Sequence, residues 1–128
     1  MSIRYVTAEL GNPSDPMAPK KFYLVEKSLG SIDRTHLIKD MVRNTSLTAM
    51  EAATAIDYLF DAIPRFLELG FTVQLGELGY FKVFLQSEGS DTVDEVTADK
   101  VKNKRMRFLP GEVVRERVRG FSVEKFPV

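Results

Sequence analysis

Val73-Gln74-Leu75-Gly76-Glu77-Leu78-Gly79-Tyr80-Phe81-Lys82-Val83 is an alternating stretch interrupted by two glycines. Before the interruption Phe71, Val73 and Leu75 alternate with Thr72 and Gln74. After it Phe81, Val83 and Leu85 alternate with Tyr80, Lys82 and Phe84. A period of two sends successive side chains to opposite faces, and two such runs joined across glycines predict a β-hairpin.

Upstream the period lengthens. Ile56, Leu59, Phe60, Ile63, Phe66 and Leu67 recur at helical spacing, and the run stops at Gly70. It starts at Thr48-Ala49-Met50-Glu51, a capping box whose threonine and glutamate satisfy each other's free amides. Pro64 lies inside and predicts a kink. A shorter helix over 33–43 is capped by Asp33 and presents Leu37, Ile38, Met41 and Val42 on one face. Residues 3–10 and 21–27 read as two strands, separated by a loop that contains Pro13, Pro16 and Pro19.

Downstream, residues 88–99 hold Glu88, Asp91, Asp94, Glu95 and Asp99, and a capping pattern from Thr92 to Glu95 suggests a short surface helix. Asn103–Leu109 alternates again, with Met106 and Phe108 on one face and Arg105 and Arg107 on the other. Pro110-Gly111 opens a short helix in which Val113, Val114 and Val118 share a face. Gly120 ends it, and residues 121–126 read as a last strand.

This order of elements resembles the bacterial histone-like HU/IHF family. Arg34-Thr35-His36-Leu37-Ile38 is similar to the family's opening helix, residues 73–83 to its signature hairpin, and Phe108-Leu109-Pro110-Gly111 to its last strand and helix. The resemblance spans roughly residues 32–119. It implies an α+β fold in an intertwined dimer, with two N-terminal helices, a β-hairpin plus a third strand, and a short C-terminal helix. Residues 1–31 are then an added strand pair, 32–119 the HU-like DNA-binding domain, and 120–128 a C-terminal strand extension.

Three departures stand out. Glu77 occupies the place of the first turn glycine, with Gly76 one residue earlier and Leu78 where the family has an interface phenylalanine. The family's arms end in a proline that wedges between base steps, whereas no proline lies between Val83 and Phe108 and the segment is acidic. Bending of DNA by intercalation is therefore not expected. Arg117 falls within the apolar face of the last helix, where its stem is expected to cover core.

Formal net charge is zero, but residues 1–99 carry 9 Lys and Arg against 15 Asp and Glu, while residues 100–128 carry 9 against 3. Local clustering of this kind sustains a positive field on a neutral chain. With the Met106/Phe108 face inward, Arg105 and Arg107 point outward beside Lys82 on the neighbouring strand. Resemblance implies a saddle of two such sheets with double-stranded DNA across it. Lys82, Lys100, Lys102, Lys104, Arg105, Arg107, Arg115 and Arg119 are the candidate DNA-binding residues. Tyr80 and Phe84 share the Lys82 face. Cover by the N-terminal strands is the expectation for them, and exposure for stacking on a partner is the alternative.

Catalysis lacks its parts. There is no cysteine, and His36, the single histidine, projects away from the apolar face of its helix. Gly76 and Gly79 are not followed by a helix, so no phosphate loop is formed, and the acids of 88–99 lack calcium-loop spacing. We expect no enzyme, no cofactor, no small-molecule substrate and no membrane partner. The expected function is a non-sequence-specific, nucleoid-associated DNA-binding homodimer in the cytoplasm. The alternative is a protein-interaction or scaffold module that keeps the HU-like fold and has lost DNA bending.

Overall fold

The computed structural model describes residues 2–127. Its elements run β1 (Ile3–Leu10), β2 (Lys21–Lys27), α1 (Arg34–Asn44), α2 (Ala49–Glu68), β3 (Val73–Gln74), β4 (Gly79–Ser87), β5 (Val101–Pro110), α3 (Glu112–Arg119) and β6 (Val123–Lys125). The result is an α+β architecture with three helices and two three-stranded sheets, ordered β2-β1-β6 and β3-β4-β5.

The helix boundaries follow the local chemistry. The Asp33 carboxylate accepts from the His36 amide at 2.9 Å and caps α1. His36 is exposed, with Nδ1 2.7 Å from that same carboxylate. At α2 both halves of the capping box form: the Glu51 amide donates to Thr48 Oγ1 at 3.1 Å, and the Thr48 amide to Glu51 Oε1 at 3.0 Å. α2 continues past Pro64 to Glu68, so the proline interrupts one hydrogen bond without ending the helix. A bidentate Arg34–Asp57 pair, 2.9 Å at both contacts, ties α1 to α2.

Backbone amides hold two carboxyls below their ordinary values: Asp33 through the amide and ring of His36, and Glu51 through the Thr48 amide. A depressed carboxylate stabilises the fold above its unfolded pKa, and that contribution fades as pH falls through the folded value. Thr48→Ala is expected to cost about 1 kcal/mol in urea denaturation at pH 7. Glu51→Gln should be less stable than the parent at pH 7, and the difference should shrink as pH falls through the depressed folded value of Glu51 and the parent's carboxyl protonates.

The two terminal extensions form one sheet. β1 pairs antiparallel with β2 from Arg4↔Lys27 to Leu10↔Lys21, and parallel with β6 from Ile3↔Val123 to Tyr5↔Lys125. An Arg4–Glu124 ion pair at 3.2 Å and the Phe126 amide on the Tyr5 carbonyl at 2.8 Å close the seam. β6 is shorter than the strand expected over 121–126.

The short helix expected within 88–99 is not formed. Two single 3-10 turns, Val93–Glu95 and Ala98–Lys100, stand there, and the Thr92 side chain makes no capping bond. The Glu88 amide bonds the Lys100 carbonyl at 2.9 Å. A connection clamped this tightly at its mouth leaves no run long enough to offset helix nucleation.

Among the described residues the buried apolar side chains are Ala52, Ala62 and Leu67 alone. The accessible surface of the chain is 11091 Å². A folded monomer of 14.5 kDa should expose about 6,900 Å². Much of the surplus is apolar. Met50, Tyr58, Leu59 and Phe60 stand exposed on α2, and a groove of about 670 Å³ opens between α2 and the β3-β4-β5 sheet, lined by Pro64, Leu67, Phe71, Val83, Leu85 and Met106. No described helix is long and apolar enough to cross a membrane.

Candidate functional site

The β4–β5 register sets the site. Phe81 stands opposite Phe108, and Val83 opposite Met106, on the face that turns toward α2. The Phe81 and Phe108 rings lie 5.0 Å apart. Directly paired residues share a face, so the opposite face presents Lys82 against Arg107, Phe84 against Arg105, Gln86 against Asn103 and Tyr80 against Leu109, with Gln74 of β3 beside Tyr80. None of these residues is a carboxylate.

Two like charges directly across a ladder destabilise it. Here both cations also lie near the Phe84 ring, which steadies them: Lys82 Nζ is 5.2 Å and Arg107 Cζ 5.8 Å from its centre. Exposed cation–π contacts of this kind are worth about 0.5–1 kcal/mol each. Among the described residues Lys82, Arg105 and Arg107 enter no ion pair. Their strongest available complement is therefore an anion from outside the chain.

The other expected site residues are spread more widely. Lys104 stands opposite Leu85 and lines the groove beneath the sheet, because it shares parity with Met106 and Phe108 and not with Arg105. Lys82 also borders that groove, but its parity and its ammonium over the Phe84 ring place it with the outer face, unlike Lys104. The register slips between Gln86 and Ser87, leaving Lys102 as the extra residue of a bulge. Lys100 ends the second 3-10 turn at the far tip of the ribbon. Arg115 and Arg119 lie on α3 at the opposite end of β5, and Arg119 pairs with Glu116. Arg117 is exposed, as are Val113 and Val118 beside it, so its stem covers no core within the single chain.

Cover from the N-terminal strands is not what Phe84 receives. Those strands pair with β6 in a separate sheet, while Phe84 is 37% exposed and engaged by two cations. Phe84 thus joins the site, as the alternative expectation of an exposed ring had it. Its signal was its parity with Lys82 and its place opposite the basic strand.

Comparison with known families gives a match over residues 1–125 to a model described as an HU domain fused to wHTH, Ig, or glycine-rich motif. No curated protein sequence matches the chain. Among solved structures, a candidate bacterial DNA-binding protein from Bacteroides vulgatus ATCC 8482 is similar, with a TM-score of 0.65 and 17% identity. The likeness covers 97% of this chain and 47% of that one, so this chain spans about half the length of its structural relative.

Proposed function

As the chain belongs to the HU-HIG family, HU domains fused to winged helix-turn-helix, immunoglobulin-like or glycine-rich modules, we propose that it binds double-stranded DNA as a homodimer. It does so with little sequence preference, as a nucleoid-associated protein and not as an enzyme. The observation that carries this reading is the outer face of β4 and β5, where Lys82, Arg105 and Arg107 stand together with no carboxylate on that face and, among the described residues, no ion-pair partner.

Phosphate is the complement such a face fits. Cations at ladder spacing neutralise backbone charges and release counterions without reading base edges. Lys100 and Lys102 near the acidic ribbon tip, and Arg115 on α3, lie outside the close contacts of Lys82, Arg105 and Arg107 and add to the field at longer range. Lys104, turned to the groove, and Arg119, paired with Glu116, act only through the longer-range field. The acidic residues between Glu88 and Asp99 keep the ribbon tip away from phosphate, so the duplex lies on the sheet without being wedged open.

The homodimer follows from the exposed surface. The chain exceeds the expected monomer area by about 4,200 Å², and the uncovered side chains of α2 and the groove beneath the sheet are apolar. A second copy related by a two-fold axis covers the same patch on both chains and doubles the basic face.

Titrating a duplex with the full chain across a range of salt concentrations tests both parts. Six cations from two chains predict that log K falls with log salt at a slope of about −5. The thermal midpoint of the protein alone should rise with its concentration. Absence of binding even at low ionic strength would remove DNA from the proposal. A midpoint independent of concentration would remove the dimer.

A further inference from the structure

We infer that the outer edge of β2 is a second self-association surface, where two copies of the chain join their terminal sheets edge to edge. The inference does not depend on DNA binding. In the order β2-β1-β6, β2 is hydrogen-bonded on one side only. Lysines stand at both ends of the strand, Lys21 and Lys27, but it runs without proline or bulge, and between them Phe22 and Leu24 are 73% and 59% exposed. An open, apolar edge of this kind is a template for another strand.

The sequence of β2 says which strand. A two-fold axis perpendicular to a sheet keeps each face on its own side, so an antiparallel β2–β2 pairing must join residues of equal parity. Centred on Tyr23, the pairing places Lys20 against Glu26 of the second copy and Phe22 against its Leu24. The two copies' Tyr23 side chains then face each other. The charge pair and the apolar pair each occur twice by symmetry, and all four lie on one face. Centred one residue on, at Leu24, Lys21 meets Lys27 and Phe22 meets Glu26. Centred one residue back, at Phe22, Lys20 meets Leu24 and Lys21 meets Tyr23, so neither charge finds an opposite one. One register is therefore complementary and its neighbours are not.

Among the described residues neither Lys20 nor Glu26 is held by an ion pair. Joining the edges converts two three-stranded sheets into one of six strands. That brings the small sheet to the commonest sheet size, about four to six strands. Two-fold pairing at this edge, combined with the contact through α2, links chains into tetramers or longer arrays. Such weak links would be favoured when neighbours are concentrated on one duplex.

Sedimentation velocity of the full chain over a wide concentration range tests this without DNA. The parent is expected to double in mass beyond the unit sealed through α2. Lys20→Glu alone, or Glu26→Lys alone, sets like charges opposite each other twice and should weaken that step about tenfold. Mixing the two single variants restores opposite charges at every pair and should restore association, as should the double variant Lys20→Glu/Glu26→Lys. Recovery on mixing also shows that each variant folds. The inference is overturned if the parent never exceeds the α2-sealed mass, if both single variants associate like the parent, or if the mixture associates no better than its components. Loss of the α2 contact is read separately, as a smaller starting unit in the parent and all variants alike.

Discussion

A chain carrying Lys82→Ala, Arg105→Ala and Arg107→Ala is expected to fold as the parent does and to lose duplex binding near physiological salt. All three side chains are exposed and free of ion pairs within the described structure, so their removal breaks no bridge. It also relieves the like-charge opposition of Lys82 and Arg107 across the ladder. If each exposed cation–phosphate contact is worth about 0.5–1 kcal/mol, six such contacts in a dimer correspond to a loss of roughly 10²- to 10⁴-fold. The sharper signature is the salt slope, which should flatten from about −5 toward zero, about one unit for each contact removed. Lys104→Ala removes the same charge from the same strand but from the groove face, and should leave the slope nearly unchanged. A triple variant that keeps the parental slope, or a Lys104 variant that matches it, would show that the outer face of β4 and β5 is not where DNA lies.

That contrast marks the boundary between what local sequence states and what it leaves open. Parity along β5 is written in Arg105-Met106-Arg107-Phe108, and the observed register reproduces it. Applied two residues earlier, the same parity sends Lys104 inward. Grouping it with its basic neighbours follows charge density where strand geometry decides. Lys102 was less accessible, because the slip between Gln86 and Ser87 depends on the pairing of two strands and has no marker in either. Caps at Asp33 and Thr48 and the stop at Gly120 were legible because each is closed by residues within four positions. The union of β1 with β6 was not, since it pairs Ile3 with Val123 across nearly the whole chain. Phe84 shows the same limit. Its apolar ring suggested cover, and only the cross-strand pairing of Lys82 with Arg107 reveals that two cations supply it.

Gly79→Ala is expected to leave little folded protein, although it adds a single methyl group. Gly79 is buried at the start of β4 with φ at +137°, a conformation essentially confined to glycine. A Cβ there would lie 2.3 Å from the Leu109 carbonyl oxygen, 2.9 Å from the Gly111 amide nitrogen and 2.9 Å from the Pro110 Cα. All three are backbone atoms of the strand end that leads into α3, so no side chain can swing aside. Backbone strain and the clash together should cost about 4 kcal/mol or more, a large share of a typical domain's stability. Gly76→Ala is the control. Its φ of +61° is left-handed, but a Cβ there meets nothing within 4 Å, so the cost should stay near 1 kcal/mol. This difference explains why the turn tolerates Glu77 beside it. The left-handed position has moved to Gly76, and the Leu75 amide still closes the turn onto the Gly79 carbonyl at 2.8 Å. Urea denaturation of the two variants separates them, and midpoints that coincide would mean that the close approach at Gly79 relaxes freely. Any folded Gly79→Ala population carries a further consequence. A one-residue slip in β4 would turn Lys82 toward the groove and Phe81 toward solvent, so its DNA affinity should fall even where its helices survive.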